Sequence, residues 1–200
     1  MKQSITIILL VFFCSSLFGQ PIISGDYDIG LKISYDSTSK KITGFYENST
    51  GWDEKTNSPK FICAYYFEGI VTGKKIDINS YNPKYKKDDQ IPGTIEIVTN
   101  STVQIKLTDD HGGCWNVEHF TNRPVGFTLE KSQPWRQIRY VNAAKANFYS
   151  DKYDDKQMKA YLIMGDIVCI EKIDKEWAYC SYFGKKTIKG WLKLAELNNL

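Results

Sequence analysis

Apolar and polar residues alternate through Tyr27, Ile29, Leu31, Ile33 and Tyr35. This period of two predicts a strand with one buried face. A polar turn at 36–40 leads to a return strand over 42–47. Residues 48–59 are polar around Trp52 and predict a long loop. Residues 61–67 are apolar on both faces and predict a buried strand. Further strands are expected at 75–81, 93–98, 103–107 and 126–130, separated by turns and by a polar loop at 82–90. Hardly a helical window occurs in this half.

Glycines recur beside apolar pairs, in Ile42-Thr43-Gly44-Phe45, Phe67-Glu68-Gly69-Ile70 and Ile91-Pro92-Gly93-Thr94. Glycines inside strands mark bulges or sharp bends, which a curved sheet needs. Seven or eight strands joined by hairpins predict an up-and-down antiparallel barrel over 20–133, with a two-sheet sandwich as the alternative. In strand count and glycine spacing this half resembles a lipocalin-like (calycin) barrel. A linker at 134–142 follows, and its Trp135 is expected to pack between two domains.

From 143 onward the order is Ala146 to Ser150, a polar loop, Gly165, Val168, Ile170, Trp177, and finally Gly190-Trp191. Short strands here can close a small barrel around Leu162, Val168, Ile170, Ala178 and Trp191. The six positions Gly165, Val168, Ile170, Trp177, Gly190 and Trp191 resemble, in order and spacing, the bacterial SH3-like domain. The resemblance spans 143–200 and implies an all-β architecture of a larger barrel followed by a small SH3-like one. It also implies that the loop after the first strand lies near the Trp turn. Tyr149, Tyr153, Trp177 and Tyr182 then become candidate groove residues for an extended peptide. The partner it implies is a cell-wall peptide, or an envelope protein.

The first 19 residues change how the cysteines are read. Lys2, an apolar run over 5–13 and small residues at Ser15, Ser16 and Gly19 form the pattern of a secretory signal peptide. The run is about half the roughly 20 residues that span a bilayer. Phe13 is too bulky to precede a lipid-modified Cys14. The expected location is secreted or periplasmic, with no membrane span. Cys63, Cys114, Cys169 and Cys180 remain after cleavage, an even number in an oxidising compartment. Cys63–Cys114 is the expected bridge, against a free thiol at Cys63. Cys169 and Cys180 face each other if the turn between them is Asp174-Lys175. A one-residue longer loop instead makes Cys180 a core residue.

Composition excludes more than it selects. The chain has 200 residues and a formal charge of +3, with both signs interspersed. Nothing in that pattern points to nucleic acid or a membrane surface. Asp110, His111, Gly112 and Gly113, with Cys114 and His119 close behind, form the densest cluster of chemistry-bearing residues. It reads as an interaction loop at a barrel rim. A zinc site is the competing reading, but the spacing matches no familiar zinc motif. No nucleophile turn is present, and no cofactor is implied. The reading is a non-enzymatic envelope binding protein. The alternatives are an inhibitor of a cell-wall hydrolase that plugs a cleft with the 109–114 loop, and a metal-dependent enzyme using His111 and His119.

Overall fold

The computed structural model describes residues 21–85 and 89–200; the expected signal peptide lies outside them. Eight antiparallel strands close into a barrel in strict sequence order. They are β1 (Gly25–Tyr27), β2 (Leu31–Asp36), β3 (Lys41–Asp53), β4 (Ser58–Ile70), β5 (Lys75–Tyr81), β6 (Ile91–Thr99), β7 (Thr102–Leu107) and β8 (Val125–Ser132). Closure comes from β8 pairing with β1. Each strand neighbours the next in sequence, so no sheet edge is left in the barrel body; the long connection over 108–124, between β7 and β8, carries Cys114.

Two expectations about this half need correction. The strand over 27–35 is broken by a 3-10 turn at Asp28–Gly30, where Ile29 takes a left-handed φ of 56° and faces outward. The stretch over 48–59 is not a loop. Residues 47–53 and 58–65 continue β3 and β4 as a hairpin beyond the barrel wall, paired as far as Asp53↔Ser58. Its outer part is exposed on both faces, so it lacks the buried face that makes a strand legible.

Side chains fill the barrel interior. Tyr46 packs against Tyr65, Phe120 and Phe127 at centroid separations of 5.4, 5.1 and 5.8 Å. Ile33, Ile42, Phe67, Ile95 and Ile105 complete the same cluster. Gly44 lies opposite Phe67; a Cβ there would stand 2.1 Å from the Phe67 ring. This glycine is what lets the ring turn inward.

The second unit is a six-stranded sheet ordered β11-β10-β14-β13-β12-β9. Its strands are β9 (Gln137–Tyr140), β10 (Lys145–Tyr149), β11 (Gln157–Ile163), β12 (Ile167–Asp174), β13 (Trp177–Phe183) and β14 (Thr187–Lys193). Val168, Ile170, Ala178, Cys180, Leu162 and Leu192 form its core. Trp191 does not join them. Gly190 opposes Cys180 and Leu192 opposes Ala178, so Leu192 points inward and Trp191, one residue earlier, points outward.

A third apolar cluster joins the two units. Trp135, Ile138, Tyr140 and Cys169 pack on Tyr66 and Tyr81 of the barrel. The Tyr66 hydroxyl donates to the Ile138 carbonyl at 3.1 Å, and the Ile138 N–H donates to Thr43 Oγ1 at 2.8 Å. Asp36 accepts from Arg136 at 3.2 Å and from Gln137 at 3.1 Å. The stretch read as a linker therefore supplies an edge strand and the seam itself.

Candidate functional site

The face of the second sheet opposite its core is divided. At one end the barrel covers it at Cys169, which packs with Tyr66 and Tyr81, and beyond it Phe183 meets Trp135 of the connecting segment at 5.6 Å. The other end carries rings. Trp177, Tyr179 and Ser181 alternate along β13, so they share this face. Across the ladder, Tyr179 opposes Trp191 and Trp177 opposes Lys193. Trp191 in turn opposes Tyr149 of β10. Tyr149 and Trp177 meet edge-to-face at 4.9 Å, and Tyr179 and Trp191 at 5.4 Å. These are the separations at which aromatic pairs add to their own burial.

Three lysines lie over these rings. Lys193 Nζ is 5.6 Å from the Tyr149 centroid and 5.5 Å from that of Trp177; Lys152 and Lys172 approach Trp191 at 5.3 and 5.9 Å. Each is within cation–π range. Lys152 hydrogen-bonds Asp174, and Lys193 pairs with Asp154 at 2.6 Å. Those bonds hold the two ammonium groups above their ordinary pKa, and Lys152 holds Asp174 below its own. A β-bulge between Ile170 and Lys172 keeps Glu171 on this face as well. There Glu171 accepts from Ser181 at 2.9 Å and from Lys189 at 2.8 Å. The result is a ring platform with cations over it, suited to stacking a planar or sugar-like group; of the three lysines, Lys172 has no carboxylate within 4 Å among the described residues.

The four groove residues expected from sequence are only partly brought together. Tyr149 and Trp177 touch and are nearly buried, at 5% and 7% exposure. Tyr153 stands on the adjoining loop and is exposed. Tyr182 sits at the far end of β13, opposite Ile188, and belongs to another region. Tyr179 and Trp191 were missed. Their signal was present in the alternation from Trp177 to Tyr179 and in the register that carries it onto Trp191.

The interaction loop proves to be a packed element of the barrel. Cys114 bridges Cys63 across a sequence separation of 51 residues. Asp110 accepts from the Phe120 N–H and the Thr121 hydroxyl. Gly113 has a φ of 87° and so tight a fit that a Cβ would meet the Ile62 carbonyl at 2.1 Å. Only Gly112 reaches open space. His111 is 3% exposed and stacks on Tyr65 at 5.0 Å.

His111 Nε2 lies 2.9 Å from Ser80 Oγ, and its Nδ1 lies 3.0 Å from Asp89 Oδ2. These distances match a nucleophile, base and orienting carboxylate. Access does not. Ser80 is fully buried, and its hydroxyl donates to the Ile91 carbonyl at 2.8 Å, so its proton is engaged within the fold. Burial holds the His111 imidazole below its ordinary pKa although Asp89 opposes this. The relay ties β5, the residues before β6 and the 109–114 loop together. His119 takes a different carboxylate, Asp110, at 3.5 Å, so the two histidines do not converge on one point.

Cys169 and Cys180 are free thiols, not a bridge. The turn is Lys175-Glu176 and the bulge shifts the register, so Cys180 opposes Ile170 and Cys169 opposes Ser181. Cys180 lies in the second core and Cys169 in the seam. Comparison with protein-family models, curated proteins and solved structures found no match. What stands among the described residues is all-β: a closed eight-stranded barrel with one disulfide, joined to a second sheet that carries an aromatic face.

Proposed function

We propose that this chain is a non-enzymatic binding protein of the cell envelope, and that its second sheet docks carboxylate-bearing cell-wall peptide. The observation that carries this reading is the platform of Tyr149, Trp177, Tyr179 and Trp191 under Lys152, Lys172 and Lys193. The signal-peptide pattern of residues 1–19 and the SH3-like order of Gly165 to Trp191 support it. The Cys63–Cys114 bridge is compatible with a location outside the cytoplasm. No helix among the described residues is long and apolar enough to cross a membrane. The barrel serves as the rigid body to which the binding sheet is fixed.

Retention on purified peptidoglycan tests the reading. The wild-type protein is retained and Trp191→Ala reduces retention at least about tenfold, the effect of roughly 1.4 kcal/mol. Retention equal to that of wild type in both Trp191→Ala and Tyr179→Ala sinks it.

A second reading, inhibition of a cell-wall hydrolase, is favoured by a different feature from the 109–114 loop. The β3–β4 hairpin projects Trp52, 62% exposed, beyond the barrel. Trp115, 69% exposed, stands beside it, fixed by the Thr50 bond to the Asn116 carbonyl. A rigid, aromatic-tipped projection suits insertion into a cleft. Loss of hydrolase inhibition in Trp52→Ser, with peptidoglycan retention intact, would favour this reading over the first.

A further inference from the structure

Where the barrel and the second sheet meet, a cleft of about 480 Å³ opens beside the seam. One wall is β2 and β3, through Lys32, Phe45 and Glu47. The other is the Gly165-Asp166 turn and the end of β13, through Asp166, Tyr182 and Phe183. Three glycines, Gly30, Gly165 and Gly184, also line it, so main chain is open to whatever enters.

Among the described residues, the carboxylates of this cleft are not all paired. Lys32 is already matched: its ammonium lies 2.5 Å from Asp26 and over the rings of Phe183, at 5.2 Å, and Trp135, at 5.8 Å. Glu47 and Asp166 have no cationic side chain within 4 Å among the described residues. Asp166 spends one oxygen on the Ile163 N–H at 2.8 Å. Burial, and after it the charges of Asp166 and Glu47, push the Tyr182 phenol above its ordinary pKa, so both carboxylates bear on the same hydroxyl. Lys84 reaches the rim, its stem passing 3.0 Å from where a Gly165 Cβ would stand.

We infer that this cleft binds a small organic cation, a primary ammonium or guanidinium on an apolar stem, with the charge between Glu47 and Asp166 and the stem against Phe45 and Phe183. The Lys32 ammonium is neutralised by Asp26. Glu47 and Asp166, which have no cationic partner among the described residues, supply the charge that a cation would meet. Phe45 and Phe183 offer the apolar surface its stem would cover. The cleft is also of ligand size and lies at a junction between units, where small-molecule sites concentrate. This site is separate from the Tyr149–Trp191 platform and does not depend on it.

A matched pair of probes tests the inference: 2-phenylethylammonium and 3-phenylpropanoate, titrated into the full mature chain and followed by amide chemical shifts. The expected result is saturable movement of the Phe45, Asp166 and Phe183 amides by the cation alone, with a dissociation constant below about 1 mM. Asp166→Asn combined with Glu47→Gln is expected to weaken binding at least about tenfold. Glu47→Gln alone, a substitution at an exposed position, keeps the test valid if the double variant fails to fold; it is expected to weaken the cation severalfold. Trp191→Ala is expected to leave cation binding unchanged, which separates this site from the peptide platform. Equal binding of the anion, no saturable shift at those amides, or undiminished affinity in Glu47→Gln overturns the inference.

Discussion

Gly113 and the cysteine after it show how much one residue decides. Its left-handed backbone and the Ile62 carbonyl 2.1 Å from a would-be Cβ admit no other side chain. Gly113→Ala is expected to cost at least about 2 kcal/mol, read as a lower denaturant midpoint. Reducing Cys63–Cys114 removes a closure over 51 residues and is expected to cost about 4 kcal/mol in the chain-entropy model. His111 gives a pH signature of definite sign. Its pKa is lowered in the folded protein, against about 6.5 when unfolded. The unfolded chain therefore takes up the proton first, and stability falls as pH drops below about 6.5. Denaturant midpoints at about pH 8 and pH 5 should differ more in wild type than in His111→Gln; equal differences would remove His111 from the account. Among the aromatics, the residue scale also explains what was legible. Trp177 and Tyr149 stood out by type, but Trp191 looked like core because a Gly-Trp near the end of a small barrel suggests it. Only the pairing of Gly190 with Cys180 shows that Leu192 is the inward residue.

At the scale of elements, strands with one wet face were readable and strands wet on both faces were not. Residues 75–81 alternate and form β5 with the expected bounds. The outer halves of β3 and β4 carry polar residues on both faces and so resemble a loop until their pairing is seen. The bulge in β12 was equally hidden, since one extra residue leaves no compositional trace. Its effect is large: it sets Glu171 and Lys172 together on the platform face and parts Cys169 from Cys180. Burial pushes both thiols far above their ordinary pKa. Neither should react with an aqueous thiol reagent until the protein unfolds, when both should. For the chain from residue 20 onward, intact mass after alkylation under denaturing conditions is expected to show two labels and one bridge. A count of zero labels would contradict this register.

At the scale of the molecule, the barrel and the second sheet are joined by a seam that sequence marked only through Trp135. Asp36 is its polar anchor. Burial raises its pKa, but the Thr38 N–H, Gln137 and Arg136 outweigh this and leave it lowered. Its contribution is therefore complete above the unfolded value of about 3.9 and is lost as pH falls through the lower folded one. Asp36→Ala leaves Arg136 and Gln137 without their acceptor and is expected to uncouple the units. The observable is two unfolding transitions in calorimetry where wild type shows one. The fixed seam also matters for the proposed function, because it leaves half of one sheet face covered and the other half free to carry rings. Trp191 is the cleanest probe of that free half. Trp177→Ala would empty a nearly buried site at a cost of about 3 kcal/mol, whereas Trp191 is half-exposed and contributes less to the core. The decisive measurement is a titration of a soluble cell-wall stem peptide into wild type and Trp191→Ala, followed by amide chemical shifts. The account predicts saturable shifts along β13 and β14 in wild type that Trp191→Ala removes while the rest of the spectrum stays in place. Shifts of equal size in both proteins, or none in wild type, would contradict it.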